Sequence, residues 1–281
     1  MAVSTPQDAP DSACPLYWTL RTSGDRAHVP KRNVSYVGKV FEGLHAAVQT
    51  IAMKLICFPF AGGGSLAYRN WGRDLGVDVI AAALPAREAR HADPMPTSMA
   101  PLVADLATRL AEATRGPYML FGHSMGANVA FALARELERR GTVGPRCLIL
   151  SGCSSPHLPP RFAPIHGLPE PELIKELRDY GGTPQAVLDE PELLAYFLPM
   201  LRADLAVNET YAVTAIETVA TPIVAIGGSN DAYVTHDELT AWAALTTRGC
   251  ETHVIEGGHF FIQDQRAELL ALVRDAIARH R

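Results

Sequence analysis

Long hydrophobic runs are missing from this sequence. No apolar stretch approaches the ~20 residues that a membrane-spanning helix needs, so no membrane partner is expected. The opening residues, Met-Ala-Val-Ser-Thr-Pro-Gln-Asp, hold no apolar signal core. Cysteine is scarce. Cys14, Cys57, Cys147, Cys153 and Cys250 are odd in number and lack disulfide or metal-ligand spacing, so no metal site and a reducing cytoplasm are expected. Cys57, Cys147 and Cys250 fall in or beside predicted strands and read as buried thiols. An excess of positive charge is missing too: 25 Lys and Arg against 30 Asp and Glu give a net charge of −5, which leaves no footprint for nucleic acid. What the chain does have is bulk. Its 281 residues, 48% of them apolar, suffice for one large domain with a substantial core.

From Met53 onward, strand and helix patterns alternate. Strands are predicted near 53–58, 77–83, 117–121, 146–151, 222–227 and 250–256, with helices near 65–75, 98–114, 125–140, 235–247 and 260–279. Leu102, Val103, Leu106 and Leu110 share a face of the second helix, and Val129, Leu133 and Leu137 a face of the third. This alternation predicts an α/β fold, a mainly parallel sheet covered by helices on both faces. One region breaks the rhythm. Some 70 residues between the fourth and fifth strands carry no strand signal; a Pro-rich stretch over 154–171 leads into helical patterns near 170–180 and 191–210. An insertion of this length, placed here, reads as a helical lid spanning about 154–220, or as a subdomain that merely packs there. Residues 1–52 read as an N-terminal extension, disordered or adding an edge strand through the β-like stretch Val34 to Phe41.

The chemistry concentrates at three strand ends. Gly122-His123-Ser124-Met125-Gly126 follows a short apolar run and precedes a helix, the setting of a nucleophile elbow that lifts a serine hydroxyl clear of the sheet. The other reading of Ser124 is a helix N-cap. Asp231 lies in Gly227-Gly228-Ser229-Asn230-Asp231 after the fifth strand, where it could be an acid or cap the next helix. His259 lies in Gly257-Gly258-His259 after the sixth. Ser, Asp and His in that chain order, each at a strand's carboxyl end, form the set a serine hydrolase of this architecture needs. His123 reads as a packing or oxyanion-loop neighbour rather than a base, and His91, His157 and His166 as solvated. A tetrahedral intermediate also needs two backbone donors. Met125 supplies one; the loop Pro59-Phe60-Ala61-Gly62-Gly63-Gly64-Ser65 supplies the other, from Ala61 or Gly62. That loop lacks both the G-x-G-x-x-G spacing and the Gly-Lys-Ser/Thr ending of a nucleotide-binding loop.

These motifs converge on a family. The chain resembles the type II thioesterases of nonribosomal peptide and polyketide pathways, which are α/β hydrolases, over roughly residues 53–275. The resemblance rests on Phe58-Pro59-Phe60-Ala61-Gly62-Gly63-Gly64 with Trp71, on Leu84-Pro85-Ala86-Arg87-Glu88-Ala89-Arg90, and on the elbow. It continues through Tyr180-Gly181-Gly182-Thr183-Pro184, Leu201-Arg202-Ala203-Asp204 and Gly257-Gly258-His259-Phe260-Phe261. The family usually has Gly where Ala86 stands. The resemblance implies Ser124 as nucleophile, Asp231 as orienting acid and His259 as base, with Ala61 and Met125 as oxyanion donors. It implies hydrolysis of wrong or stalled acyl groups from the phosphopantetheine arms of acyl or peptidyl carrier proteins, with no cofactor of the enzyme's own and a cytoplasmic monomer. Asp204 reads as a lid residue that holds a helix in place. Arg87 and Glu88 could pair with each other or with the lid. Three rivals stand beside this reading: an esterase or lipase acting on small esters, an acyltransferase, and a binding module on a hydrolase scaffold that has lost catalysis.

Overall fold

The computed structural model describes residues 53–213 and 217–281. The extension and its β-like stretch Val34 to Phe41 lie outside the described residues. Six strands form one parallel sheet: β1 (Lys54–Phe58), β2 (Asp78–Ala81), β3 (Tyr118–His123), β4 (Leu148–Ser151), β5 (Ile223–Gly228) and β6 (Cys250–Ile255), in the spatial order β2-β1-β3-β4-β5-β6. Register runs Cys57↔Phe121 between β1 and β3, Gly122↔Leu150 between β3 and β4, and Ile149↔Val224 between β4 and β5. All six residues of β3 are buried, as a central parallel strand requires.

Period-two alternation sorts each strand's side chains onto opposite faces. Ile56, Phe58, Leu120, Leu148, Leu150, Ile223 and Ala225 pack one core with α2 (Met99–Arg109) and α3 (Met125–Arg139). Leu55, Cys57, Met119, Phe121, Ile149, Val224 and Ile226 pack the other with α1 (Trp71–Leu75) and α9 (Arg266–Arg279). The elbow helix α3 turns Val129, Phe131 and Leu133 fully inward, each contributing about 1.5–3 kcal/mol by burial. Cys57 and Cys147 are buried as expected, but Cys250 is half-buried because β6 is the sheet's edge; Cys153, a loop residue after β4, is buried instead.

The insertion between β4 and β5 holds α4 (Glu170–Tyr180), α5 (Gln185–Asp189) and α6 (Pro191–Glu209). Their apolar faces close on one another through Leu173, Leu177, Leu188, Leu194, Leu198, Leu201 and Leu205. The five-residue α5 was not foreseen, being too short to show a period. Four expected helices are interrupted. Asn70, at φ 66°, separates a 3₁₀ turn over Ser65–Tyr68 from α1; α2 stops at Arg109 before a second such turn over Ala113–Arg115. The next helix is α7 (His236–Thr240) running into a 3₁₀ turn at Ala241–Leu245, and Gln265 divides α8 (Phe261–Asp264) from α9. Periodicity locates a buried face but does not register a local change of pitch.

Candidate active site

Strand β3 ends where the chain must reverse into α3, and the reversal falls on Ser124. Its backbone sits at φ 54° and ψ −122°, a region costly for a residue with a side chain. The turn admits nothing but glycine on either side. A Cβ on Gly122 would stand 2.0 Å from the Gly126 carbonyl oxygen, and one on Gly126 would stand 2.0 Å from that of Phe58. Ser124 N–H donates to the Ser151 carbonyl at 2.8 Å, pinning the elbow to β4. The Ser124 side chain makes no capping bond to α3, so the N-cap reading does not hold.

The hydroxyl instead faces His259. Ser124 Oγ and His259 Nε2 are 3.1 Å apart, and His259 Nδ1 lies 2.8 Å from Asp231 Oδ2. An ionised carboxylate only accepts, so Nδ1–H donates to Asp231 and the neutral ring leaves Nε2 to accept from the serine hydroxyl. All three side chains are buried or nearly so. Asp231 does not cap α7. Thr235 does, with Glu238 completing a reciprocal capping box, while Asp231 Oδ1 accepts from the amides of Tyr233 and Val234. Those two bonds fix the carboxylate and leave Oδ2 for the imidazole. A hydroxyl so placed can lose its proton to the ring as it attacks an electrophilic carbon, and the ring can return that proton to a leaving group.

Backbone donors stand nearby. Met125 is the first residue of α3, and Ala61 borders the same small cavity as Ser124. Among the described residues neither amide meets an acceptor. Gly62 N–H, the other candidate on this loop, is committed: it donates to Asp204 Oδ2 at 2.8 Å. Arg87 and Glu88 do not pair with each other. Arg87 forms a two-pronged ion pair with Asp204 on α6, and Glu88 accepts from the amide and hydroxyl of Ser65. Ala86 adopts φ 61°, the left-handed backbone that explains a glycine preference at this turn.

His123 is fully buried, edge-on to Phe261 at 5.3 Å, with Nδ1 3.0 Å from Ser151 Oγ. Burial, reinforced by neighbouring His259, holds it well below the ordinary imidazole range, so it is a neutral packing group. His91 is exposed as expected. His157 and His166 are not fully solvated: His157 meets Ser155, and His166 Nδ1 lies 2.6 Å from Glu209 at the end of α6. Tyr180 is a functional candidate to which no local sequence pattern gives a role. The last residue of α4, it brings its hydroxyl to 3.2 Å from His259 Nε2. Burial raises its pKa, so the phenol stays neutral. Its only signal was the Tyr-Gly-Gly motif, which carries no chemistry until the helical insertion packs over the strand ends. The cavity beside Ser124 is about 30 Å³, room for a water or two. A groove of about 850 Å³ beside α2 and α3 contains none of these residues. Among the described residues no three His, Cys, Asp or Glu side chains converge to hold a metal ion.

A parallel sheet flanked by helices, with a strained serine on the elbow of a central strand and a helical insertion after β4, defines an α/β hydrolase. Residues 53–277 match the thioesterase domain family, and the chain belongs to that family, which makes it a hydrolase of thioesters. Gramicidin S biosynthesis protein GrsT of Aneurinibacillus migulanus is 35% identical over 240 residues, covering 84% of this chain and 93% of that protein. RedJ, a thioesterase from the prodiginine biosynthetic pathway in Streptomyces coelicolor, superposes with a TM-score of 0.74 at 36% identity, covering 80% of this chain and 90% of that one. YbtT, a type II thioesterase from the yersiniabactin NRPS/PKS pathway, superposes with a TM-score of 0.72 at 32% identity, covering 83% and 94% respectively.

Proposed function

We propose that this protein is a type II thioesterase that hydrolyses acyl or aminoacyl groups from the phosphopantetheine arms of carrier proteins in nonribosomal peptide or polyketide biosynthesis. The observation that carries the reading is the hydrogen-bonded line from Ser124 Oγ through His259 to Asp231, at 3.1 and 2.8 Å, in a member of the thioesterase family. Relatives named for gramicidin S, prodiginine and yersiniabactin biosynthesis support the pathway class. The phosphopantetheine belongs to the substrate, and the enzyme brings no cofactor.

In this reading Ser124 Oγ attacks the thioester carbonyl carbon while His259 Nε2 takes the hydroxyl proton. The oxyanion gathers the amides of Ala61 and Met125. Collapse breaks the carbon–sulfur bond, and the His259 proton goes to the departing thiolate. A thiol of pKa about 8.5 leaves far more readily than an amine. Water then enters and its oxygen bonds to the ester carbonyl carbon as His259 takes a proton from it; the second tetrahedral intermediate collapses by breaking the bond to Ser124 Oγ, His259 returns the proton to that oxygen, and the acid leaves and ionises in solvent. Asp231 holds the ring in the required tautomer throughout.

Ser124→Ala is the direct test. It should fold normally and lose on the order of 10⁴-fold or more of thioester turnover; wild-type turnover refutes the nucleophile. Comparing acyl-carrier protein with a matched simple ester, with and without an added acyl acceptor, separates this reading from esterase and acyltransferase activity.

A further inference from the structure

We propose that Arg87 and Asp204 are positioning residues that hold the glycine loop in the conformation presenting the Ala61 amide, so that this oxyanion donor is set only while the lid helix α6 is docked. The inference rests on the proposed role of Ala61. The glycine loop poses a problem of rigidity. Gly62-Gly63-Gly64 is the least constrained kind of backbone, yet a donor contributes to catalysis only if it is fixed beforehand to within a fraction of an ångström.

The Arg87–Asp204 pair supplies the constraint. Arg87 Nη2 donates to Asp204 Oδ1 at 2.6 Å, and Nη1 donates to Oδ2 at 2.8 Å. The same Nη1 donates to the Gly63 carbonyl at 2.8 Å, and the same Oδ2 accepts the Gly62 amide at 2.8 Å. The pair therefore grips an N–H and a C=O on neighbouring residues, which fixes the planes of the peptide units that follow Ala61. Arg87 Nε is itself anchored to the Pro85 carbonyl at 3.2 Å. Both side chains are buried, at 8% and 5% exposure.

Two further contacts tie the loop down. Leu201, one turn before Asp204 on α6, lies against Gly62, where an added Cβ would stand 2.4 Å from Leu201 Cδ2. Glu88 holds the far end, accepting from Ser65 N–H at 2.9 Å and Ser65 Oγ–H at 2.8 Å. The loop thus takes its shape from two neighbouring residues of the Leu84–Arg90 motif and from two on the lid. Gly62 N–H also gains a partner of its own, which keeps it from competing with Ala61 for the oxyanion. A buried ion pair is commonly replaceable by apolar side chains at little cost in stability, so its two-pronged geometry here points to orientation rather than to holding the fold together. Lifting α6 removes the Gly62 acceptor and the Leu201 contact together.

The test is the full chain carrying Arg87→Met with Asp204→Leu, an apolar pair of similar bulk. Expected are cooperative unfolding near the wild-type temperature, kcat on acyl-carrier thioester lower by ~10- to 1000-fold, and KM within about threefold. Affinity for a boronic acid that forms a tetrahedral adduct on Ser124 should fall in parallel, a loss that a purely structural pair does not produce. Wild-type kcat and boronate affinity in a folded double variant overturn the proposal. If that variant does not fold, Arg87→Lys keeps the charge but loses the fork; it should lose about tenfold in kcat at unchanged KM, and wild-type kcat overturns the proposal equally. Ser124→Ala run alongside separates the two levels. Full activity there sinks the serine mechanism, whereas its loss with active Arg87 variants sinks only the clamp.

Discussion

Ser124 holds a backbone conformation that costs about 1–3 kcal/mol, and the residues around it were chosen to make that conformation the only one available. The strain keeps the hydroxyl out of the α3 capping geometry and in front of His259. Asp231 shows the same economy, since two backbone amides fix one oxygen and His259 takes the other. Asp231→Asn should therefore preserve the fold but lower kcat by about 10⁴-fold, because an amide presenting N–H to Nδ1 selects the wrong ring tautomer. Steady-state rates set against thermal unfolding check this; near-normal rates would move the acid's role elsewhere. His123 makes a prediction about stability. Its native pKa lies well below the ordinary 6.5, so the unfolded chain binds a proton that the native state refuses. Stability should fall as pH drops below about 6.5, by up to about 1.4 kcal/mol per pH unit, until the depressed native value is reached. Urea unfolding at pH 7.5 and 5.5 should show a smaller pH increment in His123→Gln than in the wild type.

At the scale of elements, the elbow is a packing problem between three backbones. Gly126 lets α3 start against the Phe58 carbonyl, and Gly122 lets β3 pass the first turn of that helix. Gly126→Ala should cost about 3 kcal/mol or more, because the clash is with backbone that cannot rotate away. A urea midpoint within experimental error of wild type is the contrary outcome. The helical insertion after β4 obeys a different logic. Its apolar stripes announced α4 and α6, which close on each other through Leu173, Leu177, Leu198 and Leu201. The short α5 had no stripe to show. Nor did Tyr180 announce its contact with His259, since the two are 79 residues apart and belong to elements with no shared pattern.

For the whole molecule, the alternation of strand and helix makes one parallel sheet with two cores, and it places the carboxyl ends of β3, β5 and β6 along one rim. No described helix is long and apolar enough to cross a membrane. The family match begins at residue 53, where the first strand is about to start. A chain beginning at Met53 should unfold at the wild-type temperature and retain thioester hydrolysis, as circular dichroism and turnover of an acylated carrier protein would show. An unfolded product would give residues 1–52 a part in the fold.

The sequence by itself determined the six strands, the longer helices and their order, the elbow, and the places of Ser124, Asp231 and His259 at strand ends. Each is written in neighbouring residues: a period of two or 3.6, a glycine where a backbone must pass, a polar side chain at a strand's end. Tertiary structure alone decided that Gly62 N–H is taken while Ala61 N–H meets no acceptor among the described residues, that Arg87 reaches Asp204 across 117 residues, and that Tyr180 brings its hydroxyl to the imidazole. Those contacts depend on where an insertion folds back over a sheet, and side chains that meet only through that folding leave no regular spacing along the chain.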